Sequence, residues 1–241
     1  MKKINLNIEI YDLHKDLKDK LPLIWDFLLN STGVTPEHNK PFGVIVGGQA
    51  GAGKSQAIEE LLKTLDNVLV INTDEYRKYH EYYEEIQKIH GEGAGKYTGE
   101  FAWEITKQVF SKAVKEKYNI ILETTFRTEH PSLAMLSELK ANNYSTKVFV
   151  CTCSKYLSKK SIQERAEKMK LTGDYPRYVP ENIHAIMVKR LPKVAEVILN
   201  SGLVDQFLIR NRDKIIFDSE INKQKNIGEI IKKELNQPLN N

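Results

Sequence analysis

Residues Gly48, Gln49, Ala50, Gly51, Ala52, Gly53, Lys54 and Ser55 satisfy G-x-x-x-x-G-K-[ST] at every fixed position. The chemistry of that pattern is anion capture. Glycines let backbone N–H groups turn inward around a phosphate, and the N-terminus of the helix that follows adds partial positive charge. Lys54 is expected to reach the β- and γ-phosphates of a nucleoside triphosphate, and the Ser55 hydroxyl to bind Mg2+. The fate of the γ-phosphate is not written in the loop itself.

Three further groups bear on it. Asp74 falls just past a second apolar run, where a carboxylate could take a proton from an attacking hydroxyl; the same residue would also serve as a helix N-cap. Glu123 closes a third apolar run, the position from which an acid holds Mg2+ or its waters, although many strands end in an acid. Arg165 and Arg177 lie in a segment from Lys155 to Arg177 that holds seven basic and three acidic residues. Such arginines stabilise charge on a transferred phosphoryl group, and a helix and loop carrying them would close as a lid that excludes water. A solvated helix face is the plainer reading. No Asn-Lys-x-Asp base-reading motif is present, which argues against a switch GTPase.

These residues need a frame. Short apolar runs at 42–46, 68–72, 119–123 and 147–151 read as strands buried on both faces. Helical stretches at 55–65, 99–116 and 132–141 separate them, so the alternation predicts crossover units and a parallel sheet. The expected fold class is α/β: a three-layer P-loop NTPase fold, its mostly parallel central sheet flanked by helices, with a helical lid at 158–171. Residues 172–180 read as a loop and 181–200 as a helix kinked or broken at Pro192. Residues 206–210 and 214–218 could pair as a hairpin. Residues 4–10 alternate as a short strand or extended lead-in, and 12–29 have helical spacing. The expected division is an N-terminal helical extension (1–40), a P-loop domain (41–220) and a C-terminal surface helix and tail (221–241).

Composition sets outer bounds. The 241 residues are 41% hydrophobic and 28% charged, with a net charge of +4, as in an ordinary globular protein. So small a charge does not point to nucleic acid, and the basic segment lacks the aromatic interleaving of strand-binding grooves. Two cysteines, Cys151 and Cys153, exclude a disulfide framework and fit a reducing cytosol. The start lacks the apolar stretch of a signal peptide, and no apolar run is long enough to span a bilayer. A cytoplasmic protein with no membrane partner is expected.

Taken together, the motifs resemble those of zeta toxins, the kinase component of epsilon/zeta-type toxin–antitoxin systems. The resemblance runs from Phe42 to Ser219, through Gly47-Gly48-Gln49, Asp74-Glu75-Tyr76-Arg77, Glu123-Thr124-Thr125-Phe126-Arg127, Val188-Lys189-Arg190-Leu191-Pro192 and Asn211-Arg212-Asp213. It implies an ATP- or GTP- and Mg2+-dependent kinase that phosphorylates the 3′-hydroxyl of the amino sugar in UDP-N-acetylglucosamine. It further implies Asp74 as general base, Lys54 as phosphate clamp, and Arg165 and Arg177 as lid arginines. Thr125, Arg127, Glu104 and Ser132 would face the sugar nucleotide. An antitoxin, if there is one, would contact residues 1–40 or the nucleotide cleft. Ala50 stands where the family has proline. Thr124 stands where it has glycine, adding bulk beside the acceptor.

Overall fold

The computed structural model describes residues 11–222 and 226–238. The extended lead-in expected at 4–10 lies outside them. Helix α1 (Leu13–Thr32) starts at the N-cap Asp12, whose carboxylate accepts from the Lys15 N–H, and ends at Gly33 in the left-handed conformation. Its buried stripe of Leu17, Ile24, Trp25 and Leu28 carries it past Pro22.

The four apolar runs are strands: β1 (Phe42–Gly48), β2 (Val68–Asn72), β3 (Asn119–Glu123) and β4 (Ser145–Cys151). With β5 (Gln206–Arg210) and β6 (Ile215–Asp218) they form one sheet in the order β2-β3-β1-β4-β5-β6. The first five are parallel, and β6 returns antiparallel as the second arm of the hairpin. Between β1 and β2 lies α2 (Lys54–Leu61); α5 (Gly95–Lys115) precedes β3, and α6 (Glu129–Ala141) precedes β4. Three short elements follow β2: α3 (Thr73–Tyr76), a 3₁₀ turn at 77–79 and α4 (Tyr83–His90). The charged helix α7 (Lys155–Leu171) and α8 (Glu181–Leu199) follow β4, and α9 (Ile227–Leu235) ends the described chain's helices.

Alternation along the strands makes two cores. Ile45, Ile120, Leu122, Val148 and Val150 face a large layer built from α1, α5, α6, α8 and α9. Val44, Val46, Ile121 and Phe149 face Ala57 and Ile58 of α2. Helix α8 runs through Pro192 unbroken, so of the kink or break expected there the break does not occur. Proline removes one hydrogen bond, but Leu191, Pro192, Val194, Ala195 and Ile198 are all buried there, and that packing holds the helix.

Register brings the chemistry together. Val46 of β1 pairs with Glu123 of β3, and Glu123 pairs with Asn72 of β2. The carboxyl ends of these strands therefore meet beside the turn that leaves β1, where ligands of open α/β sheets bind. Gly47 is part of that fit: a Cβ there would lie 2.3 Å from the ring of Phe126, which is fully buried at φ 45°. Gly47→Ala is expected to cost about 3 kcal/mol, at the upper end for an overpacked core. A lowered urea midpoint with unchanged m-value would show it.

Candidate functional site

From Gly48 the chain turns through residues 49–53 into α2, whose first residue is Lys54. Gly51 sits at φ 73°, and a Cβ on it would lie 2.2 Å from the Ser158 carbonyl oxygen. Only glycine meets both conditions. The close approach seats the first turns of α7 on the loop, with Ala50 packed against Ile162 and Met187. Gln49 points its side chain inward, Nε2 donating to the Cys153 carbonyl at 2.8 Å. Its share in any cradle is thus backbone, as for Gly48, Ala50, Gly51, Ala52 and Gly53. The buried thiols behind the loop are inert: burial pushes Cys151 up to about 12 and raises Cys153 as well.

Lys54 is 8% exposed. Its Nζ lies 3.7 Å from Glu123 Oε1 and 3.4 Å from the Gln49 carbonyl oxygen. Glu123 Oε2 accepts from Asn72 Nδ2 at 3.0 Å. The same Asn72 caps α3, its Oδ1 accepting from the Asp74 N–H at 3.0 Å. The N-cap of this helix is therefore Asn72, and the Asp74 carboxylate is left for other work.

That carboxylate is 43% exposed. Arg77 Nε donates to its Oδ1 at 2.9 Å, and Arg177 Nη1 lies 3.9 Å from Oδ2. Burial pushes the Asp74 carboxyl up. The Arg77 charge and hydrogen bond, then Arg177 and Lys54, outweigh it and hold the group below the usual carboxylate range. Asp74 is an anion at neutral pH, the form a base requires.

Above it stand the two arginines of the basic segment. Arg177 reaches Glu75 Oε1 at 3.3 Å. Tyr175 two residues earlier donates to Glu84 Oε2 at 2.7 Å and packs edge-on to Tyr83. The 172–180 loop thus docks on α3 and α4 across the cleft. Arg165 of α7 is half-buried, and its Nε has no hydrogen-bond partner among the described residues. Burial and the like charge of Arg177 lower its pKa, while Asp74 and Glu123 oppose the shift. A buried donor without a partner calls for an explanation; an anion between Arg165 and Lys54 would supply one.

Lys54, Asp74, Glu123, Arg165 and Arg177 therefore converge. Ser55 is exposed at the start of α2. Thr125 and Arg127 are exposed at the rim after β3, turned outward by the inward Phe126 between them. Glu104 pairs with Lys107 at 2.7 Å on α5. Ser132 is 2% exposed in the first turn of α6 and shares no hydrogen bond with the cluster among the described residues. Sequence reasoning gave no role to Asn72, and named Arg77 and Arg212 only within motifs that carry the resemblance, without assigning either a task. Arg212 hydrogen-bonds the Gly51 carbonyl and, at 2.9 Å, Ser161 Oγ, tying the β5–β6 turn to loop and lid. For Arg77 the i, i+3 spacing from Asp74 was a usable signal.

Known proteins share this arrangement of elements. A family model described as Zeta toxin matches residues 26–223. The "Toxin zeta" of Streptococcus agalactiae is 29% identical over 206 residues, 83% of this chain and 70% of the relative. "Toxin PezT" of Streptococcus pneumoniae serotype 4 is 26% identical over 186 residues, 76% and 74% of the two chains. A solved structure from work on the PezAT chromosomal toxin–antitoxin system of S. pneumoniae superposes with a TM-score of 0.81 at 22% identity, covering 95% of this chain and 90% of that one. That likeness is one of fold.

Proposed function

The chain belongs to the zeta toxin family of P-loop kinases, and on that premise we propose that it transfers the γ-phosphate of ATP or GTP to the 3′-hydroxyl of the amino sugar of UDP-N-acetylglucosamine, blocking cell-wall synthesis. The observation that carries the proposal is Asp74, an anionic carboxylate open to the cleft beside Lys54.

The acceptor oxygen attacks the γ-phosphorus while the bond from phosphorus to the leaving diphosphate oxygen breaks, and the hydroxyl proton passes to Asp74 Oδ2. Lys54 exchanges Glu123 for phosphate oxygens. Arg165 and Arg177 take up the charge that spreads over the transferred group. The Ser55 hydroxyl and Glu123 carboxylate are hard oxygen donors of the kind Mg2+ accepts; bound there, the ion would neutralise β- and γ-phosphate charge. Thr125 and Arg127 supply a hydrogen-bonding rim for the sugar nucleotide. We also assign Glu104 and Ser132 to the acceptor side. An antitoxin would meet residues 1–40 or cover the cleft.

Thr124 favours a second reading. Its N–H is held on the Val46 carbonyl at 2.9 Å, which fixes the residue at the cleft rim with a side chain where the family pattern has glycine. That bulk suits transfer to a hydroxyl of another nucleotide, a dinucleotide or an antibiotic. Purified protein incubated with ATP, Mg2+ and UDP-N-acetylglucosamine is expected to yield the phosphorylated sugar nucleotide. Transfer only to some other component of a metabolite extract would select the second reading, and slow hydrolysis with no acceptor but a nucleotide-dependent partner would overturn both in favour of a non-catalytic nucleotide-binding regulatory module.

A further inference from the structure

A general base works best when its accepting oxygen is held in a fixed direction, and Arg77 bonds the other oxygen of Asp74. We propose that Arg77 is a positioning residue that fixes Asp74 through Oδ1 and leaves Oδ2 as the proton-accepting atom; this rests on the kinase reading of the site. Arg77 Nε donates to Oδ1 at 2.9 Å, while Nη1 donates to the Gly95 carbonyl at 2.9 Å and to Thr98 Oγ1 at 3.0 Å. Two of these bonds fix the planar guanidinium on the first turn of α5, and the third places Asp74 Oδ1 against it. Thr98 is fully buried, and the start of α5 packs against α3 and the 3₁₀ turn that follows, so the anchor is part of the core rather than of a loose surface.

No other side chain among the described residues holds Asp74 in this way. Arg177 stands 3.9 Å from Oδ2, beyond hydrogen-bonding range, and is shared with Glu75. The charges around the carboxylate are Glu75 on its own helix, Arg77 from the 3₁₀ turn that follows, Lys54 from α2, Arg165 from α7, Arg177 from the lid loop and Glu123 from β3. Among these only Arg77 combines charge with a bond to the carboxylate itself.

Two measurements test the assignment. In the transfer assay Arg77→Gln should lower kcat about 10²-fold, the size expected when a catalytic group is misplaced by an ångström, with the nucleotide KM unchanged. Arg77→Lys should recover part of the loss, since an ammonium supplies charge but not the fork. Thr98→Val, which removes one anchor and keeps the shape, should lower kcat less and in the same direction. Separately, carbon NMR of the Asp74 carboxyl in the free protein should show it titrating at higher pH in Arg77→Gln than in the wild type. The acid limb of kcat should move the same way. An unchanged Asp74 titration and kcat in folded Arg77→Gln would overturn the role of Arg77. A wild type that transfers phosphate to no hydroxyl would instead overturn the kinase reading, while the NMR comparison still decides whether Arg77 holds Asp74.

Discussion

Asp74→Asn is expected to cut the rate of phosphate transfer by about two to four orders of magnitude while leaving nucleotide capture intact. Asparagine keeps the shape of the side chain. Its carbonyl oxygen can still accept from Arg77 Nε, so the bond that now orients Asp74 Oδ1 is preserved. What is lost is the basic oxygen facing the cleft. General-base catalysis supplies roughly 10²–10⁴-fold in rate, and a fall of that order in kcat is expected. The charge change acts in the opposite sense on binding. Removing an anion beside Lys54, Arg165 and Arg177 makes the cleft more positive, so a triphosphate should bind as tightly or tighter. Titration with a fluorescent ATP analogue, run beside the transfer assay, separates the two effects. Undiminished transfer by Asp74→Asn would remove the residue from the chemistry.

How much of this was legible beforehand depended on the range of the signal. The sheet was, because strands buried on both faces leave unbroken apolar runs; Ile120, Ile121 and Leu122 announce β3 without any knowledge of their neighbours. The phosphate loop was, because its backbone demands glycine at fixed spacing. Asp74 was ambiguous because a carboxylate two residues past a strand serves equally as cap or base. The tie was broken by Asn72, whose side chain caps α3 and braces Glu123 at once. Pro192 was ambiguous for a related reason. A local rule allows a kink or a break, and the break is avoided because both sides of the proline are buried. Phe126 left no local trace: its inward turn at positive φ is explained only by Gly47 on a neighbouring strand. The lid arginines could be named from charge and position, but their targets could not. That Arg177 spans Asp74 and Glu75 while the Arg165 Nε has no hydrogen-bond partner among the described residues is a fact of tertiary packing.

Arg165→Ala should show the opposite relation between activity and stability. Most buried cations cannot be removed cheaply, because a partner is left unpaired. Arg165 has no ion pair or hydrogen bond of its Nε to lose among the described residues, and it sits where burial and Arg177 both disfavour its charge. Truncation therefore relieves the desolvation and the repulsion from Arg177, which outweigh the attraction of Asp74 and Glu123 that it gives up, and sacrifices the packing of the side-chain stem. The unfolding midpoint should stay level or rise. The rate should collapse, because in phosphoryl transfer an arginine on the transferred group contributes on the order of 10³–10⁵-fold. A group held in an unfavourable setting until the transition state supplies its counter-charge is one common origin of the trade between stability and activity. Thermal melts of Arg165→Ala with and without ATP analogue, alongside its kcat, test both halves. A clearly destabilised variant would show that Arg165 is a structural cation with partners of its own. A stable variant with near wild-type kcat would leave the transferred phosphoryl to Lys54 and Arg177 alone.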